Sequence, residues 1–187
     1  MNIFELLQNR RSVFPAQYSS NQPIEKSVML KILEAANWAP THRKTEPWRF
    51  KVVEGESKMK LADFVVEEMQ KQKPDLSSFK KKKTIQKFEA SSAVIVICMQ
   101  RDLKESVPEW EEVSATAMAV QNIWLACTEE KIGAYWSSPK IISEFHNFFN
   151  FNEGEKCLGL FYMGRYDEEL TSGQRQTSIS EKTEWFD

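Results

Sequence analysis

The segment from about Val113 to Glu130 constrains the fold more than any other. It carries Ala115, Ala117, Met118, Ala119, Val120, Ile123, Trp124 and Cys127, so apolar residues fall on nearly every face of a helix. A helix of this kind belongs inside a packed assembly. A chain of 187 residues builds one substantial core, and its sheet covers one side of such a helix. Covering the other side calls for more layers than the remaining elements supply. That predicts a second copy of the chain across a two-fold interface.

The remaining elements follow from periodicity and punctuation. Asn2 caps a short helix over Ile3–Leu7, with Glu5 at the reciprocal position and Ile3, Phe4, Leu6 and Leu7 as its apolar face. Residues 13–22 read as a loop. A second helix starts at Pro23 or Ser27, repeats Val28, Ile32, Leu33 and Ala36 at helical spacing, and is stopped by Pro40. Arg49–Val53 reads as a strand, followed by a Glu54-Gly55-Glu56 turn. A helix from about Ser57 to Lys73 buries Leu61, Phe64, Val65 and Met69 and ends before Pro74. Residues 75–90 show the least organisation, and Lys80-Lys81-Lys82-Lys83 reads as a solvated face. Ala93–Met99 is a continuous β-branched run that fits a central strand buried on both faces. Ala134-Tyr135-Trp136 is extended. Ser138 and Pro139 read as the cap and first residue of a helix carrying Ile141, Ile142, Phe145, His146 and Phe148. Cys157–Met163 is a second buried strand, and a polar tail begins near residue 171. The order of elements gives an α+β or three-layer α/β single domain over residues 1–187.

Composition removes several functions. The 25 basic and 27 acidic residues nearly cancel, so nothing draws the chain to nucleic acid. No apolar run reaches membrane-spanning length, and no signal peptide opens the chain. Cys98, Cys127 and Cys157 lie apart in apolar surroundings, which reads as reduced core thiols in a cytoplasmic protein. Glycine-rich phosphate loops and nucleophile elbows are missing, and two histidines are too few for a metal site or a triad. A bound cofactor can supply chemistry that the side chains do not.

Three polar clusters suit that possibility. Arg10-Arg11-Ser12 offers forked donors and a hydroxyl to a phosphate, or is ordinary surface charge. Pro40-Thr41-His42-Arg43 stands between Trp38 and Trp48. Trp136-Ser137-Ser138-Pro139 sets hydroxyls and free backbone N–H groups where a ring carbonyl or an anion could be bound.

These clusters also carry a family resemblance. Arg10-Arg11-Ser12 resembles the opening arginine-serine motif of the nitroreductase superfamily. Ala36–Pro40, Thr41-His42 and Pro47–Val53 resemble its block of an aromatic residue, Ala-Pro, a histidine and a Pro-Trp-x-Phe strand. Pro108–Glu111, Gly133–Ser138 and Gly159–Gly164 follow in the family's order, so the likeness spans residues 1 to about 166. It is nearest to the small single-domain bacterial members. The chain departs from them at Arg165 and in a tail that lacks prolines from Ser172 onward.

The resemblance implies a mostly antiparallel sheet flanked by helices, in a homodimer holding two FMN molecules between its subunits. Arg10, Arg11 and Ser12 would hold the phosphate and ribityl end, with Arg165 a second phosphate ligand. Trp38, His42, Trp136, Ser137 and Ser138 would lie near the isoalloxazine ring. NADH or NADPH would reduce the flavin and leave before a small electron acceptor, such as a nitroaromatic, quinone or enone, takes its turn. No catalytic residue and no metal ligand is assigned. Two other readings stay open: a flavin-binding protein with a different role, and a structural homodimer that has lost FMN.

Overall fold

The β-branched run lies at the centre of the sheet. The computed structural model describes residues 2–171 and 173–186. In chain order the elements are α1 (Ile3–Asn9), α2 (Lys26–Glu34), β1 (Trp48–Val53), α3 (Gly55–Gln72), α4 (Ser78–Ala90), β2 (Ala93–Gln100), α5 (Glu109–Glu129), β3 (Ile132–Ser137) and β4 (Glu155–Arg165). The strands form one sheet in the order β1-β2-β4-β3, with every pairing antiparallel. Alternation along β2 feeds two cores. Ala93, Ile95 and Ile97 pack with α2 and α5 on one face, and Val94, Val96 and Cys98 pack with α3, α4 and residues 140–147 on the other. Burying Ile95 and Ile97 stabilises the fold by roughly 1.5–3 kcal/mol each. The result is the expected three-layer α+β arrangement.

Helix α5 resolves into two stripes. Ala115, Ala119, Val120, Ile123 and Cys127 are buried against the sheet. The opposite stripe, Val113, Ala117, Met118, Gln121 and Leu125, is only partly covered, and Met118 is 41% exposed. The amino end of α5 is fastened by Glu112, whose carboxylate accepts from the Asp102 backbone N–H (2.8 Å) and pairs with Arg101. Lys156 adds an ion pair to Glu109 (2.6 Å).

Several expectations need correction. Residues 78–90 form helix α4, with the Ser77 hydroxyl accepting from the Lys80 backbone N–H (3.3 Å). Its apolar stripe is thin, with Phe88 as its buried residue, so periodicity did not reveal it. Lys80, Lys82 and Lys83 do face solvent from it. Ser138 caps nothing: β3 continues to Ser137, Pro139 follows in extended conformation, and a 3-10 segment begins at Lys140. Proline in the last extended position displaces the helical start by one residue. His146 is exposed on that segment, bonded through Nδ1 to the Ser143 carbonyl (2.6 Å). The Glu54–Glu56 turn is absorbed into α3, and β4 extends two residues past each end of the expected strand. The Asn2–Glu5 capping box forms as expected, but Ile3, Phe4 and Leu7 of α1 remain exposed. The three cysteines are free and buried. The tail over residues 173–186 is exposed, with one 3-10 turn at Ser180–Lys182; Ser172 lies outside the described residues.

Candidate functional site

Among the predicted site residues, Arg10-Arg11-Ser12 and His42 lie at opposite ends of α5, and Trp136-Ser137-Ser138 close β3. At the carboxyl end of α5, the chain leaving α1 passes beneath Trp124. The indole Nε1 donates to the Arg11 carbonyl (3.1 Å), and the Arg10 guanidinium lies 4.8 Å from the ring centroid. Val13 then pairs with β3 through Val13 N–H to the Ala134 carbonyl (3.0 Å), which fixes the course of residues 10–13.

The two arginines have different surroundings. Arg11 donates to the backbone carbonyls of Gln8, Arg10 (2.8 Å) and Thr171 (3.3 Å), so its fork braces α1 and the start of the tail. The Arg10 guanidinium makes no hydrogen bond or ion pair among the described residues. Burial, then the charges of Arg175 and Arg11, holds its pKa below the ordinary value. A half-buried guanidinium beside two like charges is a cation without its anion. The Ser12 side chain is exposed. Arg165 ends β4 at the same end of the sheet, opposite Ile132, and its carbonyl accepts from Ser19 N–H (2.9 Å). The further cation beside Arg10, however, is Arg175 rather than Arg165. Sequence reasoning missed Arg175 because the tail has no periodicity; its one signal is a lone cation in a polar stretch.

His42 lies at the amino end of α5, while β3 ends at Ser137 beside Leu160, midway along β4. His42 opens a 3-10 turn, and its Nδ1 lies 2.6 Å from a Glu111 carboxylate oxygen. Arg43, Lys44 and Glu46 around it all have positive φ, an uncommon backbone for non-glycine residues. The Thr41 hydroxyl braces this loop by accepting from the Glu46 N–H (3.2 Å). Trp38, at the end of the 3-10 extension of α2, is 79% exposed. Trp136 is half-buried and donates to the Leu158 carbonyl (3.4 Å). Gly159 makes room for it: φ is +149°, and a Cβ there would stand 2.4 Å from the Trp136 Nε1. Ser137 and Ser138 follow at the rim, Ser138 exposed.

Arg10 and His42 therefore do not meet within one chain, whereas Val13 and Phe14, next to Ser12, touch β3 at Ala134 and Tyr135 beside Trp136. From Glu111 to Trp124, α5 rises about 20 Å. One end presents uncompensated guanidinium charge, suited to a phosphate. The other presents the His42 ring held by Glu111, with the exposed Trp38 indole four residues earlier, suited to a planar polar ring. No cluster able to hold a metal ion exists among the described residues.

A four-stranded antiparallel sheet between two helical layers, with Arg10 and His42 near the two ends of one partly covered helix, defines a three-layer α+β scaffold. The comparisons with known proteins agree with that class. A sequence profile of the Nitroreductase family matches residues 7–165, and the chain belongs to that family. It is 29% identical over 181 residues to YfhC of Bacillus subtilis (strain 168), provisionally named an NAD(P)H nitroreductase, covering 95% of this chain and 91% of that protein. The structure of a nitroreductase-like family protein from Bacillus cereus superposes with a TM-score of 0.81 at 26% identity, covering 100% of this chain and 96% of the other. A provisionally named nitroreductase from Desulfovibrio desulfuricans, solved in complex with FMN, shares the fold with a TM-score of 0.71 at 19% identity, covering 100% and 99% of the two chains.

Proposed function

We propose that this protein is an FMN-dependent oxidoreductase that passes reducing equivalents from NADH or NADPH to a small electrophilic acceptor, working as a homodimer with two shared flavin sites in the cytoplasm. The observation that carries this reading is the separation of the two half-sites along α5. An antiparallel, two-fold pairing of α5 with a second copy would set the Arg10 end of one subunit beside the His42 end of the other. The same pairing would cover Met118 and the outer stripe of α5, together with the exposed Ile3, Phe4 and Leu7 of α1. The FMN complex of the Desulfovibrio desulfuricans relative supports the choice of cofactor.

The residues present fit that group. Arg10, with Arg175 beside it, would take the phosphate that their mutual repulsion calls for, while Arg11 keeps residues 8–11 and the tail in place. Ser12 would add a hydroxyl, and Arg165 would add positive potential from β4. When bound, FMN supplies hydride acceptance and donation at neutral pH. Trp38 and Trp136 would flank the ring and exclude water from one side. His42, oriented by Glu111, would donate to a polar atom at the ring edge. Ser137 and Ser138 would do the same from the rim. The exposed indole of Trp38 favours flat acceptors such as nitroaromatics, quinones or enones.

Analytical ultracentrifugation read at protein and flavin wavelengths, followed by mixing with NADH and NADPH, tests the proposal. The expected result is one species of twice the chain mass with flavin bound, bleached by at least one nicotinamide. A monomer retaining stoichiometric flavin overturns the shared site, and a flavin that neither nicotinamide bleaches overturns the oxidoreductase reading.

A further inference from the structure

Cys98 of β2 and Cys157 of β4 stand directly opposite each other in the sheet, and no part of the flavin reading uses either. A register shift brings them together. Ile97 pairs with Gly159, so an unbroken ladder would set Cys98 against Leu158 and Cys157 against Met99. Instead β4 carries one extra residue, Leu158, and Cys98 meets Cys157. Both side chains enter the core on the face of the sheet opposite α5, while Cys127 enters the other one. Opposed residues of antiparallel strands have Cα atoms about 4.5–5.5 Å apart, within the roughly 4.4–6.8 Å that a disulfide spans.

The surroundings of the pair are polar on one side. Glu155, two residues before Cys157 on the same strand, pairs with Lys51 of β1, and the Lys51 ammonium lies 4.8 Å from the Phe151 ring centroid. The neighbouring Cys98 thiol, and after it the Gly159 backbone and the Lys51 charge, hold the Cys157 thiol below its ordinary pKa against the opposing effect of burial. The contact with Cys157, together with burial, pushes the Cys98 thiol up. One sulfur is thus set to carry the charge and the other to keep its proton. Access differs as well. Cys157 is 9% exposed and lies near the half-buried Lys51, whereas Cys98 and Cys127 are covered completely. An inert core thiol has neither a cation beside it nor a second thiol against it.

We propose that Cys98 and Cys157 form a reversible disulfide when the protein meets hydrogen peroxide, with Cys157 reacting first. The Cys157 thiolate attacks one peroxide oxygen. The S–O bond forms, the O–O bond breaks, and hydroxide leaves as water with the proton that Cys157 gave up. The Cys98 sulfur then attacks the Cys157 sulfenic acid. The S–S bond forms, the S–O bond breaks, and the Cys98 proton departs with the hydroxide as a second water. Two thiols lose two electrons, and one peroxide is reduced. A dithiol reverses the step by exchange. The new bond would tie β2 to β4 at the bulge whose Leu158 carbonyl accepts from Trp136.

Hydrogen peroxide applied to the full chain as purified, followed by alkylation of the remaining thiols in denaturant and peptide mapping by mass spectrometry, tests the proposal. Alkylatable thiols should fall from three to one. The Cys98 and Cys157 peptides should be joined, with Cys127 still alkylated, and dithiothreitol should restore all three. C127S should give the same joined peptide. C98S should stop at a Cys157 sulfenic acid, which dimedone captures as a stable adduct. Separate Cys98 and Cys157 peptides from peroxide-treated wild-type protein overturn the proposal, and this outcome does not depend on any variant folding. So does a joined peptide that contains Cys127, or one that forms only after the native circular dichroism spectrum is lost.

Discussion

Replacing Arg10 by alanine separates binding from folding more cleanly than any other change in this protein. The Arg10 side chain makes a single favourable polar contact among the described residues, the cation–π approach to Trp124 at 4.8 Å. Losing it costs about 0.5–1 kcal/mol. The same change removes a half-buried charge and relieves its repulsion with Arg175 and Arg11. The two effects oppose each other, so apoprotein stability should move by less than about 1 kcal/mol. Binding of FMN should behave differently. Arg10 is the guanidinium whose donors are unengaged, and losing a charge-assisted hydrogen bond to phosphate costs about 1.5–3 kcal/mol. That is a roughly 10- to 150-fold rise in Kd. R11A provides the contrast, because the Arg11 fork holds the carbonyls of Gln8, Arg10 and Thr171. It should lower apoprotein stability more than R10A and weaken FMN less. Flavin fluorescence titrations, run beside urea melts of the apoproteins, measure both quantities. An unchanged Kd in R10A refutes the reasoning. Equal losses of stability and affinity refute it too, since they would make Arg10 a structural residue.

Two further outcomes follow from local geometry. Ser138→Ala should change apoprotein stability by less than about 0.5 kcal/mol, because the exposed hydroxyl caps no helix; a urea melt showing a loss near 1 kcal/mol would restore the cap. Lys51→Met should destabilise the protein by about 3 kcal/mol and move acid unfolding, followed by circular dichroism, to higher pH. Burial pushes the Glu155 carboxyl up, but hydrogen bonds from Lys51 and the Asn152 backbone, with the Lys51 charge, hold it below the usual range. Its stabilising effect is therefore present above the unfolded carboxylate pKa and lost as pH falls through the folded one. Without Lys51 the buried carboxylate takes up its proton sooner, and an unchanged acid midpoint would show that the pair contributes nothing.

The sequence made legible those elements whose own residues specify them. The β-branched run of β2 and the apolar face of α3 needed no outside information, and Pro40 and Pro74 stopped helices where proline must. Helix α4 escaped because its face is mostly lysine and it rests on Phe88; packing against α3 supplies what periodicity lacks. The cap at Ser138 was misread because serine followed by proline is a helix start only when the backbone leaves the strand there, and the pairing of Ser137 with Leu160 keeps it extended. Among the site residues, Arg10, His42 and Trp136 stood out through their chemistry and family pattern. Arg175 did not, because its place beside Arg10 depends on how the tail crosses Arg11, a contact far apart in sequence.

The division of the polar groups between the ends of α5 has a genetic consequence. Under two-fold pairing, each subunit carries the anchoring half of one site and the ring half of the other. A lesion at Arg10 or at His42 then damages both sites of a homodimer. In a mixed dimer of the two mutant chains, both lesions fall on one site and the other is wild type throughout. Two inactive alleles would thus restore function to each other by sharing subunits, up to half the activity of a normal dimer.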